Sequence, residues 1–217
     1  MTAFDLLTIG HSNIPAERFI TMLRCTGVET VADVRSVPAS RFCPWFSAKN
    51  LAPLLAGVNM NYLFFGDELG GRPRDPALYC DGVADYEVMA RRPSFQASLD
   101  RLLAHAGQRC LCLMCSERDP LDCHRCLLVA RALAARGVSV GHVLHDGGIE
   151  SHAVTERRLL QITGADSDLF ATGQDERLAA AYRRRARGVA YRADGNERTR
   201  TINKNIRNKK IRMKKSR

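Results

Sequence analysis

The residue types best suited to chemistry fall in one run, Cys115-Ser116-Glu117-Arg118-Asp119-Pro120-Leu121-Asp122-Cys123-His124-Arg125-Cys126. Thiols, an imidazole, carboxylates and a guanidinium in so short a span offer a nucleophile, a proton carrier and a seat for an anion. Asp119 before Pro120 reads as a helix cap with proline at the first helical position, and Asp122 is a rival cap. In either register Cys123, His124 and Arg125 stand at a helix start, where backbone N–H groups and the helix dipole favour negative charge. Arg125 adds a fixed fork suited to phosphate or carboxylate. The same field, with an adjacent histidine, populates a thiolate. Cys115 and Cys123 are therefore the candidate reactive thiols, His124 a proton carrier and Glu117 an orienting group.

Two shorter runs add to this set. In Thr8-Ile9-Gly10-His11-Ser12, His11 can act as acid or base and Ser12 as a donor to phosphate, while Gly10 admits a close backbone approach by a ligand. In Asp33-Val34-Arg35 and the following Ser40-Arg41, Asp33 and Arg35 alternate with Val34 and share a strand face. Arg35, Arg41 and Arg125 are expected to converge on one anion, with Ser12, Asp33 and Ser40 in the same binding set. Asp67 and Glu68 read as solvated acids of a glycine-rich turn. Arg72, Arg74, Arg91 and Arg92 flank a segment able to cover an anionic substrate. His142 and His145 differ by an odd offset, so they face apart in a regular strand, and His145 is the better rim residue.

The chain has eight cysteines, at 25, 43, 80, 110, 112, 115, 123 and 126. Its first residues lack a basic segment followed by an apolar one, so no secretory leader is expected and the thiols should stay reduced in a cytoplasmic setting. Cys112-x2-Cys115 and Cys123-x2-Cys126 form two pairs of a kind that bind zinc. Seven residues separate them, against the ~15–20 of the usual pattern. An offset of three in a strand also puts Cys112 and Cys115 on opposite faces. No cofactor is expected on this reading, zinc being the one metal that the spacing raises.

The elements that must position these residues alternate. Short apolar runs at 6–9, 30–34, 62–65, 110–115 and 138–144 read as strands. Periodic segments after Asn13, Ser47 and Ser94, and from 120 to 136, read as helices, ended by Gly27, Gly57, Gly107 and Gly137. The stretch 66–92 is a long connection, and 150–192 is mostly helical. This alternation predicts a single three-layer α/β domain over 1–193, with a mostly parallel sheet of about five strands. Loops at the carboxyl ends of its strands, where such folds bind ligands, would bring the runs above onto one rim. Dinucleotide and P-loop fingerprints are absent.

Charge is unevenly spread. Lys and Arg number 33 against 23 Asp and Glu, a formal +10, and residues 194–217 hold ten of the basic residues against two acids. Eight of the ten net charges therefore lie in a C-terminal tail of disordered composition, which can attract nucleic acid without reading sequence. No run approaches the ~20 apolar residues of a membrane span, so no membrane partner is expected. Oligomeric state is not legible.

Taken together, Thr-Ile-Gly-His-Ser (8–12), Asp-Val-Arg with Pro-x-Ser-Arg (33–41), Glu-Leu-Gly-Gly (68–71) and Cys-x-Glu-x-Asp-Pro-x-x-Cys-His-Arg (115–125) resemble the uncharacterised proteins grouped as domain of unknown function 488. Ala181-Tyr182 and Val189-Ala190-Tyr191-Arg192 are similar to that family's closing segment, and the resemblance spans about 6–192. It implies a compact α/β domain and no established reaction. It also implies that Cys115, Glu117, Cys123, His124 and Arg125 belong to the shared pattern, whereas Cys110, Cys112 and Cys126 do not. The residues together lead us to expect an enzyme acting on a phosphorylated substrate, a nucleotide or nucleic-acid component, by hydrolysis or group transfer. A non-catalytic nucleic-acid-binding module and a zinc-held structural protein are the alternatives.

Overall fold

The computed structural model describes residues 4–165 and 173–193; the basic tail lies outside them. Strands β1 (Leu6–Gly10), β2 (Thr30–Asp33) and β3 (Asn61–Phe64) are joined by helices α1 (Ala16–Cys25) and α2 (Ala48–Ala56). The long connection that follows carries helix α3 (Gly66–Leu69), a small hairpin of β4 (Tyr79–Cys80) and β5 (Val83–Ala84), and helix α4 (Tyr86–Ala90). Helix α5 (Pro93–Ala106) leads into β6 (Leu111–Cys115). A 3-10 turn (Pro120–Asp122) and a π-helical stretch (Arg125–Ala130) then run into α6 (Arg131–Ala134). Strands β7 (Val140–Val143) and β8 (Ile149–Ser151) and helices α7 (His152–Thr163) and α8 (Gln174–Val189) complete the domain.

The main sheet has the order β3-β2-β6-β1-β7-β8, parallel throughout except for β8, which pairs antiparallel with β7. All five strands read from the sequence are present. The sixth, β8, is three residues long with its Ile149 exposed, too short and too wet to show as an apolar run.

Alternation along each strand builds two cores. Leu7, Ile9, Val31, Cys112 and Met114 face α1 and α2, whereas Leu6, Ala32, Leu111, Leu113 and Cys115 face α5, the segment 121–133, and α7 and α8. Helix α1 buries Phe19, Ile20, Met22 and Leu23 on one side and stops at Gly27, whose φ of +71° suits glycine.

Strands β1 and β6 are neighbours, yet α1 leaves toward one face and the helix after β6 toward the other. Such a reversal opens a crevice at the carboxyl ends of the strands. The two chain segments that leave there stay tied, because His11 N–H donates to the Cys115 carbonyl and Ser12 N–H to the Ser116 carbonyl.

The helix expected from 120 to 136 is interrupted. Asp119 does cap, accepting the Leu121 N–H at 2.8 Å, but it starts only the 3-10 turn. Cys123 is extended (φ −137°, ψ 139°), and the wider winding begins at Arg125. Widened turns of this kind gather at functional sites.

Candidate active site

The β2 and β6 loops flank a cleft of about 640 Å³ at the carboxyl edge of the sheet. Cys115, Glu117 and His124 line it from the β6 side, and Arg35, Ser40 and Arg41 from the β2 side. Six of the residues expected at a common site therefore meet there.

Cys123 lies just behind, buried like Cys115. Both sulfurs stand 3.0 Å from Glu117 Oε2. The His124 ring completes the group, its Nδ1 at 3.7 Å from Cys115 Sγ and 3.9 Å from Cys123 Sγ. Its Nε2–H donates to the Val34 carbonyl at 2.8 Å, which fixes the tautomer and turns the Nδ1 lone pair toward the sulfurs. Gly71 backs the ring; a Cβ there would come within 2.8 Å of it.

The two thiols differ in acidity. Burial alone would raise the pKa of Cys123, but the hydrogen bond from Cys115, the Arg125 charge and His124 outweigh it and hold it well below the usual thiol value. The backbone N–H of Arg125 also points at this sulfur, 3.4 Å away. The anion favoured at this helix start is thus Cys123's own thiolate. Burial and the neighbouring thiolate push Cys115 the other way, well above the ordinary value. Glu117 is raised by burial of its carboxyl and by the Cys123 charge. Burial works against a proton on His124, yet the Cys123 thiolate overcomes it and the pKa is raised.

Other expected residues build the site rather than face it. The Arg125 side chain is fully buried and donates to the Glu117 and Arg118 carbonyls, at 2.6 and 3.0 Å. It shapes the β6 loop and charges the pocket behind Cys123, away from any anion in the cleft. Asp33 accepts from Arg35 N, Nε and an Nη, and from the Tyr62 hydroxyl at 2.7 Å. Arg35 also donates to the Phe46 carbonyl, so its charge is largely met within the protein. Ser40 accepts the Cys43 N–H and orders the β2 loop.

His11 stacks on Phe46, with ring centroids 4.2 Å apart. Its Nε2 accepts from Arg35 and its Nδ1–H donates to the Ser12 carbonyl, so the ring is neutral. Burial, then the Arg35 charge, lower its pKa to about 4. Ser12 has a positive φ of 47° and its hydroxyl meets Asn13; neither it nor His11 lines the cleft. Gly10 is needed for packing of the protein on itself. A Cβ there would sit 1.8 Å from the Glu117 carbonyl oxygen, so the close approach is made by the β6 loop.

The sequence pattern under-weighted three cleft residues. Arg72, anchored by its N–H to Ser36 Oγ and lying over the Tyr191 ring at 5.1 Å, lines the same cleft as Arg41. Phe42, 90% exposed, is the apolar residue beside Arg41. Tyr191 comes back to the cleft because Ala84 N–H donates to its carbonyl and Val83 bridges to Arg192. That return is set by tertiary pairing across more than a hundred residues, which no local spacing signals.

The family comparison matches residues 15–132 to Domain of unknown function DUF488. The chain belongs to this family. No curated protein and no solved structure matches it. The DUF488 match takes in the β2 loop, the β6 loop and the sulfur pair, and so covers the centre of the cleft. Tyr191, on its wall, lies outside the match.

Among the described residues two groups of side chains are close enough to hold a metal ion: Cys115, Glu117, Cys123 and His124, which lie inside the DUF488 match, and separately Cys126, His142 and His152, of which the two histidines lie beyond it. The four-cysteine arrangement suggested by spacing is not formed. Cys112 packs in the core facing α1, and Cys115 and Cys123 pack in the opposite one. Among the described residues no helix is long and apolar enough to cross a membrane.

Proposed function

We propose that this DUF488 protein is an enzyme acting on a phosphorylated substrate, of nucleotide or nucleic-acid type, bound in the β2–β6 cleft. The sulfur, imidazole and carboxyl group of Cys115, Cys123, His124 and Glu117 is its chemical centre. One observation carries the reading. Arg41 and Arg72 bring two guanidinium groups, without a carboxylate partner among the described residues, to the same cleft as that centre. Arg35 and Arg125 are already engaged, so Arg41 and Arg72 supply the attraction for phosphate. Phe42 offers a face on which a base can stack. The volume suits a ligand of mononucleotide size. On this reading the protein works in a reducing, cytoplasmic setting, where its thiols stay available.

Calorimetric titration with inorganic phosphate, pyrophosphate and nucleoside monophosphates tests the seat. Arg41→Ala and Arg72→Ala should each weaken binding about tenfold, the loss of one charge-assisted contact. Phe42→Ala should weaken nucleotides and leave phosphate unchanged. Turnover of a nucleotide panel should disappear in Cys123→Ser. Nucleotide affinity indifferent to both arginines overturns the reading. Binding without any turnover would favour a nucleic-acid-binding module, in which the ten basic residues of 194–217 add salt-dependent attraction.

A further inference from the structure

We propose that Cys115, Cys123, His124 and Glu117 form a zinc site at the floor of the cleft. The first three are the anchoring ligands and Glu117 is the fourth, replaceable donor. The inference deepens the reading of the cleft as a reaction centre by naming its cofactor, although the metal site is testable without any substrate.

The geometry is that of a tetrahedron before the ion is inserted. The four donor atoms lie within 4.8 Å of one another. Zinc bound at ~2.3 Å to sulfur and ~2.0 Å to nitrogen or oxygen gives S···N and S···O edges of ~3.5 Å. The observed S···N separations are 3.7 and 3.9 Å. The S···O separations of 3.0 Å are hydrogen-bond distances between the two sulfurs and the carboxyl group. Placing an ion between these atoms requires a shift of about half an ångström in Glu117, the residue of the four with the most solvent-facing surface.

The surroundings are those of a metal ligand set as well. A ligating histidine donates its other ring N–H to a carbonyl or carboxylate, as His124 does to Val34. The Arg125 N–H on Cys123 Sγ and the buried Arg125 charge favour a thiolate there. Two sulfurs with an imidazole select a borderline-soft ion of tetrahedral habit, and zinc fits that description. Glu117 is the member through which water or substrate would enter the coordination sphere. That gives the site the open position of catalytic zinc rather than the closed shell of structural zinc.

The second group does not compete. Thr8 Oγ is 2.7 Å from His142 Nδ1, His142 Nε2 is 3.0 Å from His152 Nδ1, and His152 Nε2 is 3.0 Å from the Tyr182 hydroxyl. Tyr182 in turn donates to Glu156 at 2.9 Å. With both rings neutral, every donor in this chain meets an acceptor, and neither imidazole has a lone pair left for an ion.

The full-length protein, expressed with zinc and purified without chelator, should carry about one zinc per chain by elemental analysis. Cobalt substitution should add sulfur-to-cobalt charge-transfer absorption. Cys115→Ser and Cys123→Ser should lose most of the metal, Glu117→Gln should keep it, and Cys126→Ser should be unaffected. If the cysteine variants do not fold, alkylation of the wild type settles the matter. Zinc should protect Cys115 and Cys123, mapped by mass spectrometry, while exposed Cys25 and Cys80 react either way. Metal-free protein that takes up neither zinc nor cobalt, a Cys115–Cys123 disulfide in its place, or metal lost only in Cys126→Ser would overturn the proposal. Phosphate titration of the arginine variants reads the cleft separately, so failure of the metal site and failure of the substrate seat are told apart.

Discussion

Asp33→Ala tests whether the β2 loop is held by a buried ion pair or is free to serve a ligand. Asp33 is wholly buried and Arg35 nearly so, and they meet at 2.6 Å. Removing the carboxylate leaves the guanidinium buried with only the Phe46 carbonyl and His11 as partners, and also strips the Tyr62 hydroxyl of its acceptor. Breaking one side of a buried pair costs ~3–5 kcal/mol. Against a total stability of ~5–15 kcal/mol this is a large fraction. For a domain of this size it corresponds to a fall in melting temperature of ~6–20 °C. Urea and thermal denaturation of Asp33→Ala, Arg35→Ala and the double variant give the cycle. The double variant should fall short of the sum of the singles by at least ~2 kcal/mol. A single-variant loss below ~1 kcal/mol, or plain additivity, would refute the argument. So would Arg35→Ala that abolishes phosphate binding at little cost in stability.

Gly10→Ala drives a methyl group into the Glu117 carbonyl, so a loss of more than ~2 kcal/mol in urea denaturation is expected, beyond what a flexible neighbour would absorb. Burial lowers the folded-state pKa of His11, to about 4, and of His142 and His152. The unfolded chain takes up protons first, so stability falls as pH drops below ~6.5, by up to ~1.4 kcal/mol per group per pH unit. His124 and Glu117, shifted upward, act in the opposite sense, and a urea midpoint flat between pH 7 and pH 5 would show that the lowered groups do not dominate. In metal-free protein, ultraviolet thiolate absorbance should persist below the pH range in which an ordinary thiol ionises and vanish in Cys123→Ser; an unchanged profile would remove the low-pKa sulfur. Tyr182→Phe should cost ~1–3 kcal/mol by leaving a His152 N–H unpaired in the core.

The fold was legible where local pattern decides it. Short apolar runs such as Leu6–Gly10 and Leu111–Cys115, set between helical segments, read as buried strands and are, and glycines at 27 and 137 end helices through positive φ. The sulfur cluster was legible because its members lie within ten residues. The arginines were not. Which guanidinium faces solvent depends on what its neighbours offer: Arg35 finds Asp33 two residues away, and Arg125 finds carbonyls of the loop it closes. Arg72 is aimed by Ser36 and Tyr191, partners from distant parts of the chain. The break at Cys123 was hidden for a similar reason, since the capping signals of Asp119 and Asp122 support a continuous helix as readily as a turn followed by a new start.

Residues 190–193 come back to pair with the β4–β5 hairpin. Sulfurs, imidazole and carboxylate come from residues 115–124, yet one wall of the cleft comes from Tyr191, some sixty residues later in the chain. A chain cut short near residue 180 would lack both that wall and the core contacts of Ala181, Tyr182 and Ala190, so the cleft and the packing behind the sulfurs share one late segment.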